Sequence, residues 1–200
     1  MYIDKCLDFD KHIKQICIKA GRQLNVLKSL SSKLSTENKL CIFRCFVLSH
    51  FNYCPIIWHF CSKQNTIKLE RLQERGLRFV YNDYVSSYTD LLFRAGLPTL
   101  ELGRLRNIAT EMYKAINGHS PSYICNLIKE RNSQYDFRQS QNVQIPRPNT
   151  TKYGKQSFRY FGSHLWNNLP IHIKQSNDIN SFKRLIKTWS GPSCKCNYCK

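Results

Sequence analysis

The sequence predicts a mainly α protein, and two features of its hydrophobic pattern support that prediction. Apolar residues recur at helical spacing through about the first 130 residues, and glycines close two of these runs. Further along, the chain becomes polar and basic. We therefore expect a helical region over residues 1–130 and a basic C-terminal region over residues 131–200, with mixed helix and extended segments and a Cys-rich tail.

Two apolar runs predict the first helices. The first run consists of Ile13, Ile16, Cys17, Ala20, Leu24 and Leu27. The second follows Ser35, a favourable N-cap residue, and has its apolar positions at Leu40, Phe43, Phe46, Val47, Phe51 and Cys54. Because proline disfavours a preceding helical residue, Pro55 predicts an end or kink near Tyr53 and Cys54.

A third helix is predicted from about Lys63 to Tyr81. Its apolar side comprises Ile67, Leu69, Leu72, Gly76, Leu77 and Val80. Shorter helices are predicted over Tyr88 to Arg94, over Leu100 to Asn117 and from Pro121 to Ile128, with Gly96 and Gly118 closing the first two.

The C-terminal region has fewer regular signals. Residues 132–149 are polar, contain Pro146 and Pro148 and are predicted to be extended or loop-like. Asp178 is a predicted N-cap for a last helix that ends near Trp189. The apolar side of that helix is formed by Ile179, Phe182, Leu185 and Ile186.

The charge of the chain favours a polyanionic partner. Thirty-one Lys and Arg residues against thirteen Asp and Glu give a formal net charge of +18. Nucleic acid is the leading candidate, because basic side chains release the counterions condensed on phosphate. An anionic membrane is the rival, but no apolar run approaches the ~20 residues of a spanning helix, and no stretch resembles an interfacial anchor.

The compartment follows from the N-terminus and the cysteines. The chain opens without the apolar stretch of a secretory signal, so we expect an intracellular protein of the cytoplasm or nucleus with reduced thiols. Seven of the ten cysteines precede residue 126, and we expect them to pack as small buried hydrophobes. The pairs Cys41/Cys45 and His50/Cys54 have metal-compatible spacing, but their apolar surroundings favour core packing.

Catalytic signals are weak throughout the sequence. A two-metal polymerase or nuclease needs carboxylates that converge on paired Mg²⁺ ions. The segment Tyr81-Asn82-Asp83-Tyr84 resembles the Tyr-x-Asp-Asp turn of reverse transcriptases, yet Tyr84 stands where the second aspartate belongs. No phosphate loop, nucleophile elbow or zinc-protease motif occurs. We therefore predict a chain without a catalytic site of its own.

Two groups of basic residues are candidate nucleic-acid contacts. Lys68, Arg71, Arg75 and Arg78 form one helical stripe that can follow a phosphate backbone. The second group interleaves cations with an aromatic residue and comprises Arg147, Lys152, Tyr153, Lys155 and Arg159. A solvated helix face explains the stripe equally well, and the rings near the second group also suit core packing.

Three cysteines at the C-terminus are a candidate metal site. Cys194, Cys196 and Cys199 are close enough in sequence to bind one zinc ion. Tetrahedral zinc needs a fourth ligand, which His164 or His172 could supply by folding back. The alternative is a frayed, reduced tail.

Several segments resemble the C-terminal part of non-LTR (LINE-type, jockey-like mobile element) reverse transcriptases. Residues 46–58, from Phe46-Val47-Leu48 to Ile56-Ile57-Trp58, and residues 72–81 are similar to helices of the family's thumb. Residues 97–106, and residues 113–118 together with Pro121, resemble the part after the thumb. Residues 158–162 and 165–170 resemble the C-terminal end.

The resemblance implies a thumb-like helical bundle that grips an RNA template or RNA–DNA hybrid. The palm and fingers of a parent polymerase would then be its partners. The alternative is a free-standing basic adaptor that binds RNA or an acidic protein. Exposed apolar surface near Met1 to Phe9 and Trp58 would favour the thumb, because an independent domain buries such surface.

Overall fold

The structure is a computed structural model that describes residues 1–129 and 142–192. Ten α-helices account for most of these residues, which confirms the mainly α prediction. The first five are α1 (Asp10–Leu30), α2 (Thr36–Ile42), α3 (Leu48–Asn52), α4 (Lys63–Tyr81) and α5 (Tyr88–Ala95). The others are α6 (Leu100–Ile116), α7 (Ser122–Cys125), α8 (Phe158–Asn167), α9 (Ile171–Lys174) and α10 (Ile179–Thr188).

The predicted caps are where the sequence indicated. The Ser35 hydroxyl accepts a hydrogen bond from the Asn38 amide at the start of α2. The Asp178 carboxylate accepts one from the Ser181 amide at the start of α10. Gly96, directly after α5, has a φ of 60°, and Gly118, two residues after the end of α6, has a φ of 71°. Such positive values suit glycine, so these two residues end their helices as predicted.

The second predicted helix is interrupted by a π-turn over Phe43–Val47, where the Leu48 amide donates to the Phe43 carbonyl five residues earlier. One inserted residue shifts the following side chains around the helix axis. Phe43 and Val47 are fully buried, but Phe46 is 56% exposed. Cys54 lies after the end of α3 and is also exposed. The prediction that Phe46 and Cys54 belong to the apolar side is therefore wrong.

The chain divides into two compact units, Met1–Arg104 and Leu105–Lys200, and the division lies within α6. The boundary predicted between the helical region and the basic C-terminal region, at residues 130 and 131, lies outside the described residues. In the N-terminal unit, α1, α4 and the π-turn surround a core whose fully buried members include Leu24, Phe43, Trp58, Leu69 and Leu77.

The described part of the C-terminal unit has an aromatic core. The rings of Tyr113 and Phe182 stack at 4.4 Å, and Trp166 lies 6.1 Å from Phe182. The Tyr113 hydroxyl donates to the Ser176 carbonyl, which links α6 to the segment before α10. Because these rings are buried, they belong to the core.

Short structures that the sequence pattern missed complete this unit. A π-turn spans Thr151–Lys155, and the four-residue helix α9 follows Pro170. The helix predicted to reach Ile128 ends at Cys125. These segments have only one turn each, so their hydrophobic periodicity is too short to detect.

Candidate nucleic-acid interface

Helices α1 and α4 lie side by side and run in the same direction. Near their starts, Asn65 Nδ2 donates to Asp10 Oδ1 at 2.6 Å. Further along, Arg75 Nη2 lies 3.5 Å from Asn25 Oδ1. Residue numbers therefore rise together along the two helices, and cations from both can line one surface.

Three of the four predicted stripe residues, Lys68, Arg71 and Arg75, are exposed on α4. The Arg75 guanidinium lies 5.4 Å from the centroid of the Phe79 ring, and Lys28 Nζ from α1 lies 5.7 Å from the same centroid. A ring face attracts cations, so Phe79 favours this placement of both charges.

The fourth residue of the stripe, Arg78, is only partly exposed and is tied to the protein. Its guanidinium pairs with the Glu74 carboxylate at 2.7 Å and donates to the carbonyls of Asp83 and Ser86. These bonds hold the loop after α4. We therefore assign Arg78 a mainly structural role and place the candidate phosphate contacts on the other three.

The carboxylates of α4 are engaged within the protein. Glu70 accepts hydrogen bonds from the Tyr88 hydroxyl at 2.6 Å and from the Glu101 amide at 2.9 Å. Burial, together with the Glu70 carboxylate, raises the pKa of Tyr88. Glu74 is paired with Arg78. The ion pair with Arg78 neutralises Glu74, whereas the donors to Glu70 are uncharged and hold its carboxylate in place without removing its charge.

We define the α1/α4 basic face as Lys14, Lys28, Lys68, Arg71 and Arg75. Lys14 and Lys68 line one cleft at its start, and Lys28 and Arg75 share the Phe79 ring near its end. The α4 part, from Lys68 to Phe79, spans about 16 Å at ~1.5 Å per residue. That length matches about five phosphates of a stacked strand at ~3.4 Å each.

The second predicted group lies around the turn that precedes α8. Tyr153 is 53% exposed, and Lys152 Nζ lies 5.7 Å from the centroid of its ring. Gly154 donates to the Thr150 hydroxyl, and a Cβ there would lie 2.5 Å from Pro148 Cβ, so the turn packs closely on the segment before it. An exposed ring beside a cation is suited to stacking with a base.

Arg147, Lys155 and Arg159 extend this group. Arg147 and Arg159 are exposed, and Lys155 is partly exposed. Arg159 lies in the first turn of α8, where the helix dipole disfavours a cation. An anion bound beside this turn would reduce that unfavourable interaction. The neighbouring rings of Phe158 and Phe161 are only partly exposed, so packing accounts for much of their surface.

The Tyr81–Tyr84 segment forms a turn that is organised by one carboxylate. Asp83 accepts hydrogen bonds from the Val85 and Ser86 amides, from the Ser86 hydroxyl and from the Arg94 guanidinium. Asn82 adopts φ of 51° and ends α4. The Asp83 carboxylate thus stabilises the turn after α4.

Acid is expected to weaken the N-terminal unit through Asp83. Hydrogen bonds from Ser86 and Arg94 hold the pKa of Asp83 well below its usual range. The charged form is therefore favoured by folding, and its stabilisation is present above the unfolded pKa of ~3.9 and is lost as pH falls. Denaturant unfolding of wild type and Asp83→Asn should differ more at about pH 7 than at about pH 3.

Replacing the Arg94 partner provides a graded control for this prediction. Arg94→Gln removes one of the charges that stabilise the carboxylate and leaves the Ser86 hydrogen bonds in place. We expect it to retain part of the pH-dependent difference. A gap between wild type and Asp83→Asn that is the same at both pH values would contradict the assignment.

The prediction that the cysteines before residue 126 pack as buried hydrophobes is wrong for the four exposed ones and holds in part for Cys17 and Cys61, which pack partly buried against the core. Cys6, Cys41, Cys45 and Cys54 are exposed, and Cys17, Cys61 and Cys125 are partly exposed. The π-turn and α2 direct Phe43 and Val47 inward, so Cys41 and Cys45 lie on the outer side. The core-packing prediction for both pairs is therefore wrong for their cysteines.

Metal binding was also predicted at the C-terminus, but Cys194, Cys196 and Cys199 lie outside the described residues. Within residues 1–129 and 142–192, no three His, Cys, Asp or Glu side chains form a group suited to a metal ion. Zinc at the terminal cysteines therefore stays a prediction.

Two further observations bear on identity. Among the helices described, none combines the length and the apolar character needed to cross a membrane. Searches of protein-family models, curated proteins and solved structures gave no match to this chain.

Proposed function

We propose that this chain binds RNA, or an RNA–DNA hybrid, through the α1/α4 basic face, with the segment around Tyr153 as a second contact. The observation that supports it most directly is the parallel α1–α4 pair, which gathers cations from two helices while the nearby carboxylates are engaged. Together with the net charge of +18, this face favours phosphate over neutral ligands.

The motif resemblance leads us to propose a parent protein as well. The chain would be the thumb and post-thumb part of a non-LTR reverse transcriptase, acting inside the cell beside the palm and fingers of that polymerase. Polymerisation would belong to those other parts, because the residues here include no paired metal-binding aspartates at the Tyr81–Tyr84 segment.

The apolar residues that would form the surface facing the palm differ in their exposure. Met1, Tyr2, Ile3 and Leu7 are between 41% and 66% exposed, as a surface for another domain would be. Trp58 and Phe9 are buried, as in an independent domain. The N-terminal segment thus supports a docking role, whereas Trp58 serves the core of this chain.

A free-standing adaptor is the second candidate. Phe93 is 89% exposed on α5, and Val85 is 98% exposed in the loop before it. Large exposed apolar side chains favour a protein partner. An adaptor would bind RNA weakly, and a protein partner would compete with RNA for the chain.

The salt dependence of RNA affinity tests the first candidate. If about five phosphates are contacted on a single strand, affinity should fall by about a hundredfold between ~50 and ~200 mM salt. Changing Lys68, Arg71 and Arg75 to Gln should flatten the log–log slope by about 2, because each lost contact contributes ~0.7. Fluorescence anisotropy with a labelled single strand measures both slopes.

Two matched variants accompany this experiment. Lys5, Lys33 and Lys183 are exposed lysines outside both candidate surfaces, and changing these three to Gln removes the same charge. We expect them to leave the slope nearly unchanged. Changing Lys152, Lys155 and Arg159 to Gln tests the second contact in the same way. Equal slopes for wild type and all three triples would show that the basic face is only solvated.

A further inference from the structure

A cleft opens at the start of the α1/α4 basic face. It has a volume of about 600 Å³ and lies between the first turns of α1 and the beginning of α4. Pockets for small ligands usually span about 300–1,000 Å³, so its size suits a molecule much larger than an inorganic ion. The cleft lies wholly within the N-terminal unit.

The charged groups of the cleft favour an anion. Lys14 and Lys68 line it from opposite helices, and Asp10 is the carboxylate among its lining residues. Asp10 Oδ1 already accepts a hydrogen bond from Asn65 Nδ2 at 2.6 Å. Two ammonium groups beside one hydrogen-bonded carboxylate disfavour a metal cation and suit a phosphate.

The remaining lining is apolar and amide-bearing. Ile13, Cys17 and Ile18 line the cleft from α1, and the Gln64 side chain contributes from α4. An apolar wall can contact the face of a base, and an amide can donate to or accept from a base edge. A bare phosphate would leave this apolar wall unused.

We propose that the cleft binds one nucleotide unit, with its phosphate between Lys14 and Lys68 and its base against the exposed side chain of Ile18. This inference rests on the proposed function, because the nucleotide is one unstacked residue of the strand that follows the α1/α4 basic face. Proteins that bind single strands often take unstacked bases into such sites. The cleft therefore anchors the strand at one end of the face.

Cys17 is one of the residues that line the cleft, so the reactivity of its thiol can report on whether the cleft is occupied. Burial raises the pKa of the Cys17 thiol, and the Lys68 ammonium opposes part of that rise. Alkylation by iodoacetamide should consequently be slow and measurable in mildly alkaline buffer. The exposed Cys45 on the π-turn reports general reactivity in the same sample, and mass spectrometry resolves the two peptides.

The experiment compares four probes on the full chain: uridine monophosphate, adenosine monophosphate, uridine and inorganic phosphate. We expect either nucleotide to slow Cys17 alkylation about tenfold at a free concentration of about nine times its Kd, because only the unbound protein reacts. Cys45 should be unaffected. Uridine and phosphate at the same concentration should protect Cys17 at least several-fold less.

Two variants distinguish the contribution of the two lysines from that of the open space in the cleft. Changing Lys14 and Lys68 to Gln should abolish protection, whereas the Lys5 and Lys33 double change to Gln should not. Ile18→Trp fills the cleft and keeps every charge, so it should abolish protection and reduce the salt slope of RNA affinity by no more than the ~0.7 of one phosphate contact. The ratio of rates with and without nucleotide corrects for any change in the access of reagent to Cys17.

The outcomes are distinct. No protection by either nucleotide, or equal protection by phosphate alone or by uridine alone, overturns the nucleotide site. Salt-sensitive RNA binding without Cys17 protection overturns this inference and leaves the proposed function standing. Nucleotide protection without salt-sensitive RNA binding overturns the proposed function and the anchoring of a strand, and leaves the cleft as a site for a free nucleotide.

Discussion

Replacing Gly76 with Ala is expected to destabilise the N-terminal unit by about 2–3 kcal/mol, the upper part of the range for overpacked cores. A Cβ at this position would overlap Phe43 Cε2 and would lie 2.9 Å from Phe43 Cδ2 and Cζ. Phe43 is fully buried against α4, so the ring cannot move without disturbing the core. Denaturant unfolding measures the loss.

Two variants test this explanation. Gly21→Ala is the matched control, because a Cβ there meets no heavy atom of the described residues within 4 Å. It should stabilise α1 by about 0.5–1 kcal/mol, the usual gain from Ala over Gly inside a helix. Phe43→Leu should recover part of the loss in the Gly76→Ala background. A Gly76→Ala protein as stable as wild type would show that the ring does not restrict this position.

Asn167→Ala is expected to destabilise the C-terminal unit by about 3 kcal/mol. The change removes two hydrogen bonds and leaves the amide and carbonyl of Val143 without a partner. The Asn167 side chain accepts from the Val143 amide at 2.9 Å and donates to the Val143 carbonyl at 3.0 Å. Val143 is 2% exposed, so water cannot replace the lost partners. Hydrogen exchange of peptides from α8 reports the local opening.

Asn168→Ala is the matched control for this prediction. Asn168 is exposed, and its side chain donates to the His164 carbonyl. Its loss should change stability by about 0.5 kcal/mol or less, as for most surface positions. Lys174 should behave like Asn167, since its buried ammonium donates to Asn142 Oδ1 and to the Asn167 carbonyl. Equal effects at positions 167 and 168 would contradict the role given to the Val143 contact.

Features determined by a few neighbouring residues could be predicted from the sequence. The third helix was expected from about Lys63 to Tyr81, and α4 has those bounds. Ser35, Asp178, Gly96 and Gly118 are caps whose chemistry is local, so their positions were predictable. The mainly α class followed from the same short-range periodicity.

Features that depend on distant contacts could not be predicted in this way. The π-turn at Phe43–Val47 changes the helical register without a clear sequence signal, which is why Phe46 and the nearby cysteines were misplaced. Arg104 is only 3% exposed, and its guanidinium lies 5.1 Å from the centroid of the Trp58 ring. A sequence pattern places such a cation on the surface.

The candidate site shows the same limit. The α4 stripe could be read from spacing, but the contribution of Lys14 and Lys28 required the packing of α1 on α4. The hydrogen bonds from Arg78 to the loop carbonyls also depend on the tertiary structure and could not be predicted. Its ion pair with Glu74 had a weak sequence signal, because an acidic residue four positions before Arg78 favours pairing.

The parallel packing of α1 on α4 also affects how the chain folds as it is synthesised. Contacts between these helices join residues 50 and 55 positions apart, whereas Tyr88 bonds to Gln73 and Glu70 over 15 and 18 positions. The longer closure costs about 1 kcal/mol more entropy, so when the complete chain refolds from denaturant, α5 should pack on α4 before α1 does. During synthesis the order differs, because α1 emerges before α4 and α5 emerges after it. At ~5–20 residues per second, α1 leaves the ribosome roughly 3–10 s before its partner, with its apolar side accessible to chaperones.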